Sequence, residues 1–309
     1  MRISGFSFVR NGIKLGYPVK ESILSILPVC DEFIISVGKS EDDTAEQIAS
    51  IGDPKIKIIE TVWDPAMFVH GAINAYQTNI ALKQCSGDWC FYVQADEVVH
   101  EKYLPIIKAK CLEYLPLTAV EGLLFDYIHF WGSFNTYHRA RNWYRAEVRI
   151  IRNHLGIESF QSAQGFRRQG QKIQVARAEA SIYHYGWVRP AETMRKKKIA
   201  LDSLHHDPEW VKKNNPQPEQ PFDYGTLKHL ARFKGTHPAV MADFIARTAA
   251  LVKINPGSKV RHEHDKLNVR LLSWIERNLL HHRLGEWKNY ILLDAAAGRR
   301  RIKAKEIIK

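Results

Sequence analysis

Cysteine is scarce in this sequence: four in 309 residues, Cys30, Cys85, Cys90 and Cys111. No two form a C-x-x-C pair, so a disulfide scaffold is excluded, and the four read as small buried hydrophobes of a reducing compartment. No apolar run approaches the ~20 residues that span a bilayer. The start lacks the pattern of a secretory leader, because Met1-Arg-Ile-Ser runs straight into Gly5-Phe-Ser-Phe-Val and then Arg10-Asn11; a cytoplasmic protein is the expectation. Internal repeats and low-complexity segments are also missing. What remains is ordinary globular material: 45% hydrophobic, 25% charged, with eight Trp, 13 Phe and 12 Tyr. That composition excludes a disordered or fibrous chain. The length suits one large domain or a domain with an extension.

Charge is unevenly spread. The whole chain is +12, yet residues 1–100 hold eight Lys/Arg against 13 Asp/Glu, while residues 253–309 hold 14 against six. A basic C-terminal segment suits an anionic membrane surface, phosphorylated substrates or nucleic acid. The acidic N-terminal segment argues against a nucleic-acid module, and no nucleic-acid partner is expected.

The first hundred residues alternate strand and helix signals. Strands are expected at Ile3–Val9, Phe33–Val37, Lys55–Ile59 and Trp89–Val93, and helices at Ser22–Cys30, Ala45–Ile51, Ala72–Lys83 and Val99–Leu112. Such alternation with near-continuous apolar strands implies a parallel α/β sheet. Ligands bind outside the carboxyl ends of its strands. Those ends carry Arg10-Asn11, then Gly38-Lys39-Ser40 with Glu41-Asp42-Asp43, and Asp96-Glu97. Beyond residue 115, strands are expected at Val120–Phe130, Glu147–Arg152 and Lys172–Tyr185. Four prolines between Asp207 and Asp223 predict an irregular loop, and helices are expected near Pro238–Ile254 and Asp265–His281. In the latter, Leu267, Leu271, Ile275 and Leu279 recur every fourth residue and define an amphipathic face. The Gly298-Arg-Arg-Arg-Ile-Lys tail is locally basic.

Adjacent carboxylates at Asp96-Glu97 repel unless a cation or water intervenes, and hard divalent cations favour such ligands. A solvated pair capping the next helix is the competing reading. Asp42 and Asp43 could accept hydrogen bonds from a ribose or a base, or cap the following helix. Arg10 suits a phosphate and Asn11 a base edge, although an ordinary turn explains both. The Arg195-Lys-Lys-Lys198 run could meet phosphates or be a solvated helix face. The cluster Tyr127, Phe130, Trp131, Phe134 and Tyr137 could line an acceptor groove or pack a core.

In this order, strand-Arg-Asn, strand-Gly-x-Ser-x-Asp-Asp-Thr, strand, helix and Gly-Asp-Trp-x-x-Tyr-x-Gln-Ala-Asp-Glu, the sequence resembles the family 2 glycosyltransferases of the GT-A fold. The resemblance covers roughly residues 1–190. It implies an α/β, GT-A-type mixed sheet flanked by helices, with a mainly helical C-terminal extension. Residues 1–115 would form a nucleotide-binding half, 116–190 an acceptor half and 191–309 the extension. By the same resemblance Arg10, Asn11, Ser40, Asp42, Asp43, Gln94 and Asp96 face a nucleotide-diphosphate sugar. Asp96 is the principal ligand of Mg²⁺ or Mn²⁺, with Glu97 secondary. Gln94 replaces the first Asp of the usual Asp-x-Asp, and His184, at the end of a late strand, completes the metal shell. Glu147 is the chosen general base, with Asp126 and Glu158 as alternatives. The expected acceptor is a glycan or glycolipid of cell-surface polysaccharide, and the basic C-terminal region is expected to touch a membrane or to self-associate. A sugar nucleotidyltransferase is the rival enzyme, but Arg10-Asn11-Gly12 is a poor match to its phosphate loop.

Overall fold

The computed structural model describes residues 1–293; the basic tail after Gly298 lies outside them. The N-terminal half is an alternating run: β1 (Ile3–Val9), α1 (Val19–Ile26), β2 (Glu32–Gly38), α2 (Thr44–Ala49), β3 (Ile56–Thr61), α3 (Ala72–Leu82) and β4 (Trp89–Tyr92). The order across the sheet is β3-β2-β1-β4, all parallel. β1 and β2 are buried almost throughout because helices cover both faces, and their polar residues Ser4, Ser7, Glu32 and Ser36 are all hydrogen-bonded. Ile3, Phe33, Ile35, Trp89 and Phe91 pack on one side with α1. Phe6, Ile34 and Tyr92 pack on the other with Ala81 and Leu82 of α3. Each such fully buried side chain contributes about 1.5–3 kcal/mol.

The second half turns the sheet mixed. β5 (Glu97–Val99), α4 (Leu104–Tyr114), β6 (Gly122–Trp131), β7 (Ser133–Tyr137), β8 (Ala146–Arg152) and β12 (Gln174–Trp187) follow. Between the last two, β9 (Ile157–Phe160), β10 (Gly165–Arg168) and β11 (Gln171–Lys172) form a separate small antiparallel sheet. β8 runs antiparallel to β4 and joins it to β6. β12 pairs along β6 and, on its other side, takes β5 antiparallel, with His184 opposite Glu97. The result is a mixed sheet flanked by helices.

The segment after residue 190 holds α5 (Ala191–Ser203), α6 (Pro208–Asn214), β13 (Ala231–Arg232), α7 (Ala242–Ala249), α8 (Leu267–Ile275) and β14 (Ile291–Leu292). β14 returns to the main sheet beside β12, and β13 extends it beside β7. Two expectations change here. The stretch read as a loop from Asp207 contains α6, whose start is built by an Asp207 cap accepting from the Trp210 N–H at 2.8 Å and by Pro208 in the first turn. The helix expected from Val99 begins only at Leu104, because residues 97–99 are drawn into the β12 ladder. Phe130, Trp131 and Phe134 are core residues. All four cysteines are free and buried. Among the described residues no helix is long and apolar enough to cross a membrane.

Candidate functional site at the carboxyl edge of the sheet

Parallel pairing of β1 with β2 and β4 puts the three expected polar clusters on one edge. Arg10 lies against Lys39, its Nε donating to the carbonyl at 3.2 Å, and its guanidinium stands 5.7 Å from the Trp63 ring. Asn11 takes a left-handed φ of 54°. That geometry lets its N–H donate to Ser40 Oγ at 2.9 Å while its Oδ1 accepts from the Glu41 N–H at 2.8 Å. Asp42 holds the loop itself: it accepts from the Lys14 N–H at 2.6 Å and from the Thr44 hydroxyl. Glu41 pairs with Lys14. Asp43 precedes α2 without a capping bond and stays exposed. The two aspartates thus divide the work, Asp42 shaping the loop and Asp43 offering a free carboxylate.

After β4, the Gln94 amide donates to the Ala163 carbonyl at 3.2 Å, and the Ser22 hydroxyl bonds to the Gln94 carbonyl at 2.9 Å. Asp96 is buried. Lys197 of α5 donates to its Oδ2 at 2.9 Å and to the Gly186 carbonyl at 2.7 Å. Burial opposes ionisation of Asp96, but the cations Lys197 and Arg189 beside it hold the carboxyl well below its usual range. Lys197 is itself pushed down to about 8 by burial and by Arg189. Both cations lie 4.9 Å from the Tyr17 ring, and Arg189 donates to the Leu15 carbonyl at 2.5 Å.

His184 is brought to Asp96 by the pairing of β12 with β5, which sets it opposite Glu97, with the Tyr185 N–H on the Asp96 carbonyl at 2.8 Å. Its Nε2 is 3.8 Å from Asp96 Oδ1. Burial keeps both His184 and His129 below the usual imidazole range, hence neutral. The tautomers then follow in sequence. His129 Nε2–H donates to the Tyr144 carbonyl at 2.8 Å, so His129 Nδ1 is bare and accepts from His184 Nδ1–H at 3.0 Å. That leaves His184 Nε2 with a lone pair turned toward a carboxylate. Two electron-rich atoms face each other across a gap that suits a cation. Gly186 keeps the gap open: a Cβ there would stand 2.8 Å from Asp96 Oδ2 and 2.5 Å from His184 Nε2. A carboxylate oxygen and a neutral imidazole fit Mn²⁺, and less well Mg²⁺. Among the described residues no group of three or more His, Cys, Asp or Glu side chains is placed to cage a metal.

Glu97 is put to a different use from the ligand role expected. Its two oxygens accept from Arg149 Nη2 and Nε, each at 2.8 Å, and Tyr127 donates to Oε1 at 2.7 Å. Both partners of the ion pair are fully buried. The pair ties β5 to β8, and removing one member would cost about 3–5 kcal/mol.

Glu147 is brought to another place. It lines a cavity of about 230 Å³ with Tyr144, Arg145, Arg283 and Trp287, which none of Asp96, His184 and Lys197 borders. Tyr144 stands between the two, its ring 4.5 Å from that of His129. Burial pushes the Glu147 carboxyl up to about 7; its Oε2 has no partner, and its Oε1 accepts from Asn289 at 3.4 Å. The other base candidates are weaker: Asp126 is an exposed partner of Arg177, and Glu158 is exposed.

Sequence reasoning missed Lys197, Arg189 and His129. Lys197 lay inside a basic run in which Arg195 goes to the Gln220 carbonyl and Lys198 to Asp202. The one available signal was the apolar Met194 three residues earlier on α5, which is also buried and marks the inward face.

No family model matches the chain, and no curated protein matches it. Among solved structures, it is similar to the 1–349 segment of S. aureus TarS, in complex with UDP or with UDP-GlcNAc in two of its structures: 14% identity, TM-scores of 0.38–0.39, covering 66% of this chain. The chain spans 65% of that segment's length, and 42% of the longer TarS chain at 17% identity and TM-score 0.40. It is also similar to glucosyl-3-phosphoglycerate synthase from Mycobacterium tuberculosis in complex with Mn²⁺, UDP and phosphoglyceric acid: 18% identity, TM-score 0.30, covering 41% of this chain and 43% of that one. Likenesses this distant carry no weight for activity, which rests on the side chains themselves.

Proposed function

We propose that the chain is a metal-dependent, inverting glycosyltransferase of family 2 type. It would take a sugar from a nucleotide-diphosphate donor and pass it to a glycan or lipid-linked acceptor in cell-surface polysaccharide synthesis. The observation that supports this reading is the approach of His184 Nε2 to within 3.8 Å of Oδ1 of buried Asp96, beside the loops that present Arg10, Ser40 and Asp43. In this reading Asp43 accepts from the ribose or the base, with Asp42, Asn11 and Ser40 fixing the loop that presents it. Arg10, Arg189 and Lys197 bring positive charge to the diphosphate. A divalent ion held by Asp96 and His184 supplies, when bound, further neutralisation of the leaving diphosphate. Glu147, at about 7, is the group able to take a proton from an acceptor hydroxyl near neutral pH, and the acceptor would approach from the Tyr144 side.

We place the expected membrane contact on α8. Leu267, Leu271 and Trp274 fall one and two turns apart, all three exposed, with Arg270 and Arg277 beside them. An apolar stripe flanked by arginines suits the interface of an anionic bilayer.

Calorimetric titration of the full chain with UDP, GDP, dTDP and CMP, each with and without Mn²⁺, tests the enzyme reading. Metal-dependent binding of one nucleotide, lost in Asp96→Asn, is expected, with circular dichroism checking that the variant, which unpairs the buried Lys197, is still folded. Binding of none of the four under either condition would overturn it.

A further inference from the structure

Beside the small β9–β11 sheet the surface opens into a trough of about 510 Å³, bordered by Phe160, Arg167, Gln171, Lys172, Trp287 and Asn289. It shares Trp287 and Asn289 with the Glu147 cavity, so the two adjoin along one wall. None of Asp96, His184 and Lys197 borders either.

Trp287 is 77% exposed, with the Lys172 ammonium 4.1 Å from its ring. Phe160 is exposed as well, with the Arg167 guanidinium 4.8 Å from its ring. Arg167 is held rigidly by bonds to the Phe166 and Asn289 carbonyls, each at 2.9 Å, and to Asn289 Oδ1 at 3.1 Å. The side-chain amides of Gln161 and Gln171 are exposed and make no hydrogen bond among the described residues. Gln161 also holds a left-handed φ of 52°, a cost that clusters at ligand-binding loops. At the far end, Glu147 Oε2 is a buried oxygen with no partner.

These features select a ligand class. Flat exposed aromatic faces favour an apolar face laid against them, and the exposed amides beside them can exchange water for hydroxyl partners. A sugar ring offers both: a C–H face and a rim of hydroxyls. A purely apolar ligand would strand the amides. Lysine and arginine side chains outnumber Glu147 and Glu286 along both cavities, so the favoured ligand also carries negative charge.

We infer that the trough is a carbohydrate-binding site for an anionic glycan, which stacks on Trp287 and Phe160, bonds to Gln161 and Gln171, and extends toward Glu147. The binding assignment stands apart from the nucleotide edge. Only the further step, that this glycan is the acceptor, rests on the transferase reading.

The test is a printed array of neutral and anionic (carboxylated, sulfated and phosphorylated) glycans, probed with the fluorescently labelled full chain without nucleotide or metal. Retention confined to anionic glycans is expected, weakening with added salt and falling about tenfold in Trp287→Ala and in Gln171→Ala. Both residues are exposed, so neither variant threatens the fold. Retention on no printed glycan, equal retention on neutral and anionic ones, or retention untouched by Trp287→Ala would each overturn the assignment. The array contains no nucleotide, so its outcome is separate from the calorimetric one.

Discussion

At the residue scale, the sheet-edge positions of Asp42, Asp43 and Asp96 were legible because strand ends are marked by a change from apolar to polar residues. His184 was named through the resemblance, since it lies inside β12, which runs on to Trp187, and no change of polarity marks it. Lys197 was not: four consecutive cations look alike in a sequence, and only the docking of α5 decides which one is desolvated. The Glu97–Arg149 pair was hidden because nothing local connects residues 52 apart. Glu147 gives the sharpest pH consequence. Its carboxyl rises on folding from an ordinary value of 4.5 to about 7, chiefly through burial. Between those values the folded chain holds a proton that the unfolded chain has released, so stability falls as pH rises through this window. The full effect is about 3 kcal/mol. Glu147→Gln, permanently neutral, escapes it. Thermal unfolding at pH 5 and pH 8 should therefore show the variant gaining on the native chain at the higher pH. A difference that is the same at both would mean that Glu147 is already ionised when folded.

At the scale of elements, the central strands match their expected positions within a residue or two, because their buried runs are rich in large apolar residues and end at polar ones. Features that depend on a distant partner were less legible. Val99 reads as the first residue of a helix but pairs with Ile182 of β12, and Pro208 reads as a breaker although it opens α6. The stripe on α8 illustrates the limit of periodicity. Its repeat predicts an amphipathic helix and the helix forms, yet repetition is silent about which way the apolar face turns. Leu267 is 76% exposed, and Leu271, Trp274 and Leu279 are exposed with it. If α8 is the lipid contact, the native chain should float with vesicles that contain an anionic phospholipid. The Leu271→Glu/Trp274→Glu double variant should remain in the dense fraction. A native chain that stays behind with anionic and neutral vesicles alike would remove α8 from consideration.

On the scale of the whole molecule, the boundary expected near residue 190 is crossed repeatedly. Lys197 reaches back 101 residues to Asp96, β14 pairs with β12, and Met241 and Phe244 pack with Phe130, Tyr183 and Tyr185. The resemblance, which covers only the first 190 residues, could not show this. A fragment of residues 1–190 should lack the cation that partners Asp96 and should expose the apolar surface around Phe130. Circular dichroism on heating should show no cooperative transition for it, in contrast to the full chain. A fragment that melts cooperatively would show that the later segment is an accessory to a self-sufficient domain.

The bare nitrogen of His184 is dictated, through His129, by the carbonyl of Tyr144, an atom common to all twenty amino acids. What chooses the tautomer is therefore the path of the main chain before β8, not the identity of any residue there. Two sequences could differ at position 144 and keep the same electronic character at position 184. Two others could agree at every polar position and lose it through a one-residue shift in that loop. Comparison of side chains alone is blind to this inheritance, and only a backbone superposition would reveal whether a relative has kept it.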